Sequence, residues 1–345
     1  MDVMTVTGGV ARDALGVVLP HEHLFIDLRN QFTEFEDPEK QAISQQPLCM
    51  GNLGTVRMNP YAIKDNLLLD DVGIAVQEAE HFKKRGGNTI VDCTSIGINR
   101  DPVKLRTLAQ ETDLNIVAGC GYYTYDTHPD GIDDWSAEKI ADHMLCDMLE
   151  GIDGTGIRAG IYGEIGTSDP IRPSEEKCLQ ATAIAFQEKR AEVQVHTFPW
   201  AQAGLEASRL LIDGGVDPGK IVICHTDIEF DVPYIVSLLR LGVNIEFDNF
   251  GKEFFILKED RGFAGGVFAR DIERVRLIMD LLEQDYEKQI LVTNDICLKS
   301  MLRVYGGTGY DHILCNIVPM MKGEGISEET IDTFLKENPA RVLCD

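Results

Sequence analysis

Strand-like and helix-like segments alternate along this 345-residue chain, and this alternation constrains its fold more than any other feature. Eight short runs are apolar and rich in β-branched residues, as expected of buried parallel strands. The segments between them have helical spacing; the one at 71–85, for example, is followed by Gly86 and Gly87, a typical helix end. The predicted strands are Leu15–Pro20, Asn88–Asp92, Asn115–Cys120, Ala159–Glu164, Glu192–His196, Lys220–His225, Val243–Asp248 and Gln289–Asp295.

Repeated strand–helix units predict a single α/β domain over residues 1–345, a (β/α)8 barrel with its active site at the C-terminal ends of the strands. An open, doubly wound sheet is the main alternative, but no Gly-x-Gly-x-x-Gly motif follows the first predicted strand. A long loop insertion, at about 29–66, follows that strand. We expect it to cover the mouth of the barrel; a surface excursion without substrate contact is the alternative.

Charge and cysteine content restrict the partners and the compartment. The net charge of −25 argues against nucleic-acid or anionic-membrane binding, because phosphate groups would be repelled. The nine cysteines form no Cys-x-x-Cys pair and no disulfide pattern, which favours a reducing compartment. No basic, apolar leader and no long apolar run are found, so we expect a cytoplasmic protein. Phe254, Phe255 and Phe263, near several glycines, suggest a lid or an apolar contact in a homodimer.

Polar residues at the strand ends predict a metal centre. His21 and His23 close the first strand and share one face, whereas Glu22 points to the other face. In a barrel, all strand C-termini meet at one mouth. Four imidazoles and two carboxylates exceed the needs of one tetrahedral zinc ion and suit two divalent ions bridged by a carboxylate and a hydroxide. The candidate ligands are His21, His23, Glu164, His196, His225 and Asp295.

Each of these residues has another interpretation when it is taken alone. A histidine that closes a core strand is commonly a buried structural side chain or a cap. Glu164 and Asp295 are equally consistent with N-caps or ion-pair partners of the following helices. Six such residues at strand ends favour the metal centre. This donor set accepts Zn2+, Mn2+, Co2+ or Fe2+, so the residues alone leave the metal open.

Several motifs make the sequence resemble the phosphotriesterase-related branch of the amidohydrolase superfamily over nearly its full length. The resemblance implies a binuclear centre, usually of zinc, in which His21, His23 and Asp295 hold the more buried ion and His196 and His225 hold the outer one. The matching segments include Leu19-Pro20-His21-Glu22-His23-Leu24, Gly119-Cys120-Gly121-Tyr122-Tyr123, Val195-His196-Thr197, Cys224-His225-Thr226-Asp227 and Asn294-Asp295-Ile296-Cys297-Leu298-Lys299.

The resemblance also places the chain within a subgroup. Organophosphate-hydrolysing members carry a carboxylated lysine on strand four, where this chain has Glu164, so a glutamate is implied to bridge the metals directly. Asn249 and Ile228 stand where those members have an Asp–His relay, which argues against phosphotriesterase activity. Tyr123 resembles a tyrosine near the metals of lactone-hydrolysing relatives, where it orients the nucleophile or substrate; a plain pocket wall is the alternative.

These observations predict a hydrolase that acts on a small molecule. A bridging hydroxide would attack the substrate, and Asp295 would take its proton and pass it to the leaving group. Arg172, Lys252 and Lys299 follow predicted strands and are candidates for binding an anionic substrate, although solvated caps are the alternative. A lactone or carboxylic ester, including a phosphorylated sugar lactone, ranks first. N-acyl amides and then phosphotriesters follow, and a non-catalytic ligand-binding protein is the alternative class.

Overall fold

A central parallel sheet organises the computed structural model, which describes residues 2–256 and 266–344. Within these residues, eight parallel strands are hydrogen-bonded in chain order, and each predicted strand is present. Two small antiparallel pairs lie outside this sheet. The strands are β1 (Val3–Thr5), β2 (Gly8–Val10), β3 (Val17–Glu22), β4 (Ile26–Asp27), β5 (Leu68–Leu69), β6 (Gly87–Asp92), β7 (Asn115–Cys120), β8 (Ile161–Gly166), β9 (Val193–His196), β10 (Ile221–Ile223), β11 (Asn244–Phe247) and β12 (Ile290–Val292).

The sheet closes into a barrel between its first and last strands. The carbonyl oxygen of His21, on β3, accepts hydrogen bonds from the Thr293 hydroxyl at 2.9 Å and from the Asp295 amide at 3.3 Å. The His23 amide donates to the Ile296 carbonyl at 3.3 Å. The (β/α)8 prediction is therefore confirmed. The last strand is shorter than predicted because the backbone leaves the ladder before Asp295, whose φ is +48°.

Helices surround the barrel and cover its apolar strands. Asp71 and Asp101 begin two of them, each accepting a hydrogen bond from a backbone amide three residues later, as N-caps do. The helices of this layer are α3 (Val72–Lys84), α4 (Pro102–Thr112), α5 (Ala137–Leu149), α6 (Pro173–Glu188), α7 (Ala203–Asp213), α8 (Val232–Arg240), α9 (Asp271–Leu282), α10 (Val318–Glu324), α11 (Glu328–Asp332) and α12 (Asn338–Cys344).

The segment 29–66 is partly helical, with α1 (Pro38–Ser44) and α2 (Leu53–Met58). Leu48, Val56 and Ile63 form a small core of its own. Gln31 and Tyr61 extend from this segment into the cavity at the mouth of the barrel. The insertion therefore reaches the cavity instead of running only over the surface.

Other sequence expectations meet the structure only in part. All nine cysteines lie in the described residues, and each is a free thiol. None of the helices described is both long enough and apolar enough to cross a bilayer. Phe254 packs its ring against Phe268 and lines the cavity, whereas Phe255 is exposed. Phe263 lies outside the described residues.

Candidate metal centre

The structure brings the six predicted ligands together at the C-terminal ends of the strands, and all six are buried. His23 Nε2 lies 3.3 Å from Glu164 Oε1 and 3.2 Å from Asp295 Oδ1. On the other side, His196 Nδ1 lies 2.9 Å from His225 Nε2 and 3.2 Å from Glu164 Oε2. The alternation of side chains along β3 and the convergence of strands in a barrel explain this arrangement.

Glu164 lies at the centre of the cluster. Its Oε1 faces His23, whereas its Oε2 lies 3.7 Å from His21 Nε2, 3.2 Å from His196 Nδ1 and 3.6 Å from His225 Nε2. Burial alone would raise the pKa of Glu164, but hydrogen bonds with His196, His225 and His23 hold that pKa well below its ordinary value. One carboxylate therefore contacts both pairs of histidines, as a bridging ligand must.

Glycines allow Glu164 to take this position. A Cβ atom on Gly166 would overlap the backbone of Tyr123 and Thr124, and one on Gly163 would lie 2.8 Å from the Gln194 Cβ. Gly163 also has a backbone φ of +152°, a value that residues with a side chain rarely adopt. The close packing of β8 against its neighbours therefore depends on glycine at both positions.

The charges and donor atoms of the cluster suit divalent cations. His21 Nε2 is buried without a hydrogen-bond partner among the described residues, and it lies 3.8 Å from Asp295 Oδ1. Burial alone would lower the pKa of His21, but Glu246 and the other carboxylates raise it to about 9. His21, His23 and Asp295 offer ligand atoms within 4.8 Å of one another, as do His21, Glu164 and His225. The residues present therefore fit a binuclear metal centre.

A second layer of buried polar side chains orients the histidines. Glu246 Oε2 lies 2.9 Å from His21 Nδ1, Thr94 Oγ1 lies 2.9 Å from His23 Nδ1, and Asp248 Oδ2 lies 3.1 Å from His225 Nδ1. Such contacts fix the ring orientation and the free nitrogen of a metal-binding histidine. These three residues were not predicted from the sequence. The alternation of Glu246 and Asp248 on an apolar strand was the available signal.

Asp248 belongs to a buried chain of polar groups. Asn249 Nδ2 donates to Asp248 Oδ1 and to Asp227 Oδ1, each at 2.6 Å, and Arg274 Nε donates to Asp227 Oδ2 at 2.9 Å. Ile228 lines the cavity where a relay carboxylate was considered. This series of hydrogen bonds therefore ends at the buried ion pair of Asp227 and Arg274, and it holds His225 in place through Asp248.

The four predicted substrate contacts divide into two pairs. Lys252 is buried, its ammonium contacts Asp295 Oδ2, and it lines the cavity. The Tyr123 hydroxyl also lines the cavity, 3.2 Å from His196 Nδ1.

Arg172 and Lys299 differ from the sequence prediction, because both lie outside this cavity. The Arg172 guanidinium lies over the Tyr125 ring, at 5.1 Å from its centroid, beside the start of α6. Lys299 Nζ donates to Asp65 Oδ1 at 2.6 Å, within the contact between the insertion and the residues after β12. Both cations therefore bind protein groups away from the metal centre.

The remaining wall of the cavity is mostly apolar. Aromatic side chains come from the insertion and from the segments after β9 and β11, and aliphatic ones come from β4 and the residues after β10 and β12. Sequence analysis did not predict these residues as cavity walls, apart from the general expectation for the insertion. They include Ile26, Tyr61, Trp200, Ile228, Phe268 and Leu298.

A closed parallel barrel with a buried cluster of histidines and carboxylates at its C-terminal mouth defines the class of metal-dependent hydrolase barrels. The chain belongs to the Phosphotriesterase family, whose profile matches residues 1–343. The predicted resemblance is thereby confirmed, and the protein is a metal-dependent hydrolase of this family.

The named relatives of this chain include two hydrolases and one ligand-binding protein. The chain is 38% identical over 345 residues to the N-acetyltaurine hydrolase of Homo sapiens, covering 99% of this chain and 97% of that protein. A resiniferatoxin-binding protein from Rhodobacter sphaeroides has a similar structure, with a TM-score of 0.95, 35% identity, and coverage of 99% of this chain and 94% of that one. A variant of a phosphotriesterase-like lactonase from Deinococcus radiodurans gives a TM-score of 0.76 and 28% identity, with 99% of each chain covered.

Proposed function

We propose that this protein hydrolyses a short N-acyl amide whose amine portion carries an anionic group, with N-acetyltaurine as the representative substrate. The observation that carries this proposal is the buried ammonium of Lys252 beside Asp295 in a largely apolar cavity. Similarity over nearly the whole chain to N-acetyltaurine hydrolases supports the same substrate class. The amide alternative from the sequence thus moves ahead of the lactone.

The six clustered residues are proposed to hold two metal ions. His21, His23 and Asp295 would hold one ion, His196 and His225 the other, and Glu164 both. Bound there, divalent ions would lower the pKa of a shared water and polarise the scissile carbonyl. Zinc is the proposed metal because imidazole and carboxylate ligands suit it.

Asp295 is placed to move the proton. Burial would raise the pKa of Asp295, but the Lys252 ammonium and the histidines hold it well below its ordinary value, so the carboxylate is ionised at neutral pH, as a proton acceptor must be. In amide hydrolysis, water adds to the carbonyl carbon, the C–N bond breaks, and the amine leaves with a proton. Asp295 takes that proton from water and delivers it to the nitrogen.

Lys252 recognises the anionic part of the substrate in this proposal. It is the one lysine or arginine among the described residues that line the cavity. An ammonium that is almost fully buried attracts a sulfonate or carboxylate strongly, because little water screens the charge. Substrates that lack such a group forgo this attraction.

Lactone hydrolysis is the second candidate. Tyr123 supports it, since its hydroxyl lies beside His196 at the cavity wall, as expected from the resemblance to lactone-hydrolysing relatives. The structural similarity to a Deinococcus radiodurans lactonase points in the same direction. A lactone differs from the amide in having an alkoxide leaving group that stays attached to the product.

The test compares three substrates on zinc-reconstituted protein: N-acetyltaurine, its uncharged analogue N-acetylethylamine, and a γ-lactone. We expect kcat/KM to favour N-acetyltaurine over the uncharged amide by about 100-fold, since a desolvated charge contact contributes about 2–3 kcal/mol. Lys252→Met should remove that preference, whereas Lys139→Met, on the exposed face of α5, should keep it. Turnover of the lactone alone would overturn the amide proposal.

A further inference from the structure

Trp200 separates two spaces at the mouth of the barrel. One is the cavity beside the candidate metal ligands, here called the metal cavity, and the other is a larger groove. The metal cavity has a volume of about 60 Å³, and the groove beyond it about 1040 Å³. Trp200, Ile228 and Phe268 line both spaces. Trp200 also lines a third cavity, which His225 lines as well. The indole is therefore a partition among these three spaces.

Neighbouring aromatic rings hold the indole in this position. The Trp200 ring centroid lies 5.6 Å from that of Phe268, with the rings nearly perpendicular, and 5.7 Å from that of Phe198. Phe268 in turn packs edge-on against Phe254. Perpendicular aromatic pairs of this kind are favourable contacts that keep a ring in one orientation. The partition is a packed layer, and Trp200 is its largest member.

The groove suits a hydrocarbon chain better than an anion. Apolar side chains such as Phe230, Val267 and Leu277 line it. Glu229, Glu273 and Asp280 also line it, against the single guanidinium of Arg276 among its described lining residues. An anionic amine portion would be repelled there, and Lys252 attracts that portion elsewhere in the cavity. The acyl group therefore faces the partition.

We infer that Trp200 sets the length of the acyl group that this enzyme accepts. This inference rests on the proposed N-acyl amide hydrolysis. An acetyl group fits on the metal side of the indole, whereas a longer chain meets the ring before its carbonyl reaches the metal centre. Removing the indole joins the cavity to the groove, and a longer chain then extends between Phe230 and Val267.

The experiment measures kcat/KM for N-acyl taurines with acyl chains of two, four, six and eight carbons. For the wild type, kcat/KM should fall about 100-fold from the acetyl to the octanoyl substrate. Trp200→Ala should reduce this fall to about tenfold or less, because the methylene groups that the indole excludes in the wild type then contact apolar side chains of the groove. Val267→Ala is the matched control, since Val267 is exposed and lines the groove but does not line the metal cavity. It should keep the wild-type profile.

A binding measurement separates this inference from the proposed function. Calorimetry with acetate, butyrate, hexanoate and octanoate needs no turnover, and Trp200→Ala should bind octanoate about tenfold more tightly than the wild type does. Trp200→Phe repeats the measurement if the alanine variant is unstable. A variant profile parallel to that of the wild type in both experiments overturns the role of Trp200. Octanoate selectivity without any amide turnover overturns the proposed substrate and leaves the partition in place.

Discussion

Glu22 Oε1 accepts two hydrogen bonds from Asn294, one from the backbone amide at 3.0 Å and one from the side-chain Nδ2 at 2.8 Å. Its other oxygen accepts from the Ile296 amide at 2.8 Å. Glu22 therefore holds both neighbours of Asp295, whose positive φ requires support from its surroundings. His21 and His23 flank Glu22 in sequence, so the end of β3 supplies two ligands on one face and fixes a third from the other.

Replacing Glu22 should weaken both the fold and the metal centre. We expect Glu22→Ala to lower the free energy of unfolding by roughly 2–4 kcal/mol, because several buried donors lose a charged acceptor. Asp295 would then be less well fixed, and metal content should fall below that of the wild type. Urea denaturation and elemental analysis measure the two effects. Glu283→Ala, at an exposed position, should change neither quantity. A Glu22→Ala protein with the stability and metal content of the wild type would refute the role of Glu22 in fixing Asp295.

Glu246 should affect metal binding without being a ligand. Its carboxylate lies 2.9 Å from His21 Nδ1, so Glu246→Gln exchanges a charged partner for a neutral one. Outer partners of metal-binding histidines typically change affinity by about 10–100-fold, and we expect a decrease in this range. Competition with a chromophoric chelator gives the affinity. Equal affinity in variant and wild type would exclude an orienting role.

Glu164→Ala should reduce the metal content from about two ions per chain to about one, because its carboxylate faces both pairs of histidines. Activity should be lost, and added zinc should not restore it. Elemental analysis after zinc reconstitution is the measurement. Glu176→Ala, an exposed position on α6, is the control and should keep two ions. Two ions in the Glu164→Ala protein would contradict bridging.

Glu192 should make stability depend on pH. Burial raises the pKa of Glu192 from 4.5 to about 8, so the folded state keeps a proton that the unfolded chain releases above pH 4.5. The contribution of Glu192 to stability therefore declines as pH rises from about 4.5 to 8, by at most about 1.4 kcal/mol per unit. The Glu192→Gln side chain stays neutral at every pH. The free energy of unfolding of this variant should therefore rise relative to that of the wild type over this pH range.

Urea denaturation at pH 5.5, 7 and 8.5 measures that difference. Glu188→Gln, an exposed substitution at the end of α6, should give a difference that does not change with pH. A Glu192→Gln variant that loses stability relative to the wild type as pH rises would show that the sign is reversed.

The sequence was sufficient to predict the barrel and the cluster of six side chains, because both depend on short-range patterns. A strand of period two fixes the face of His21 and His23, and barrel topology brings strand ends together. Lys299 shows the limit of this reasoning. Its position after a strand did not fix where its long side chain points, and its partner, Asp65, lies 234 residues away in sequence.

Residues that act through packing were also beyond sequence reasoning. Trp200 and Phe268 form one wall of the cavity, yet they come from segments after different strands, and neither belongs to a motif. Thr94 follows an apolar run and has no feature in the sequence that indicates a role. Only the structure shows its hydroxyl beside His23. Such roles depend on the three-dimensional arrangement of loops, which local patterns do not specify.

Closure of the barrel at His21 has a consequence for biosynthesis. The carbonyl of His21 accepts the Asp295 amide, so the first and last strands meet beside the metal ligands. During translation, a chain that has not yet reached residue 295 carries five of the six candidate ligands but not the aspartate that completes the set. The full set of candidate ligands is therefore assembled only after residue 295 has been synthesised and the last strand has met the first. Hydrolytic activity is then confined to molecules in which the barrel has closed.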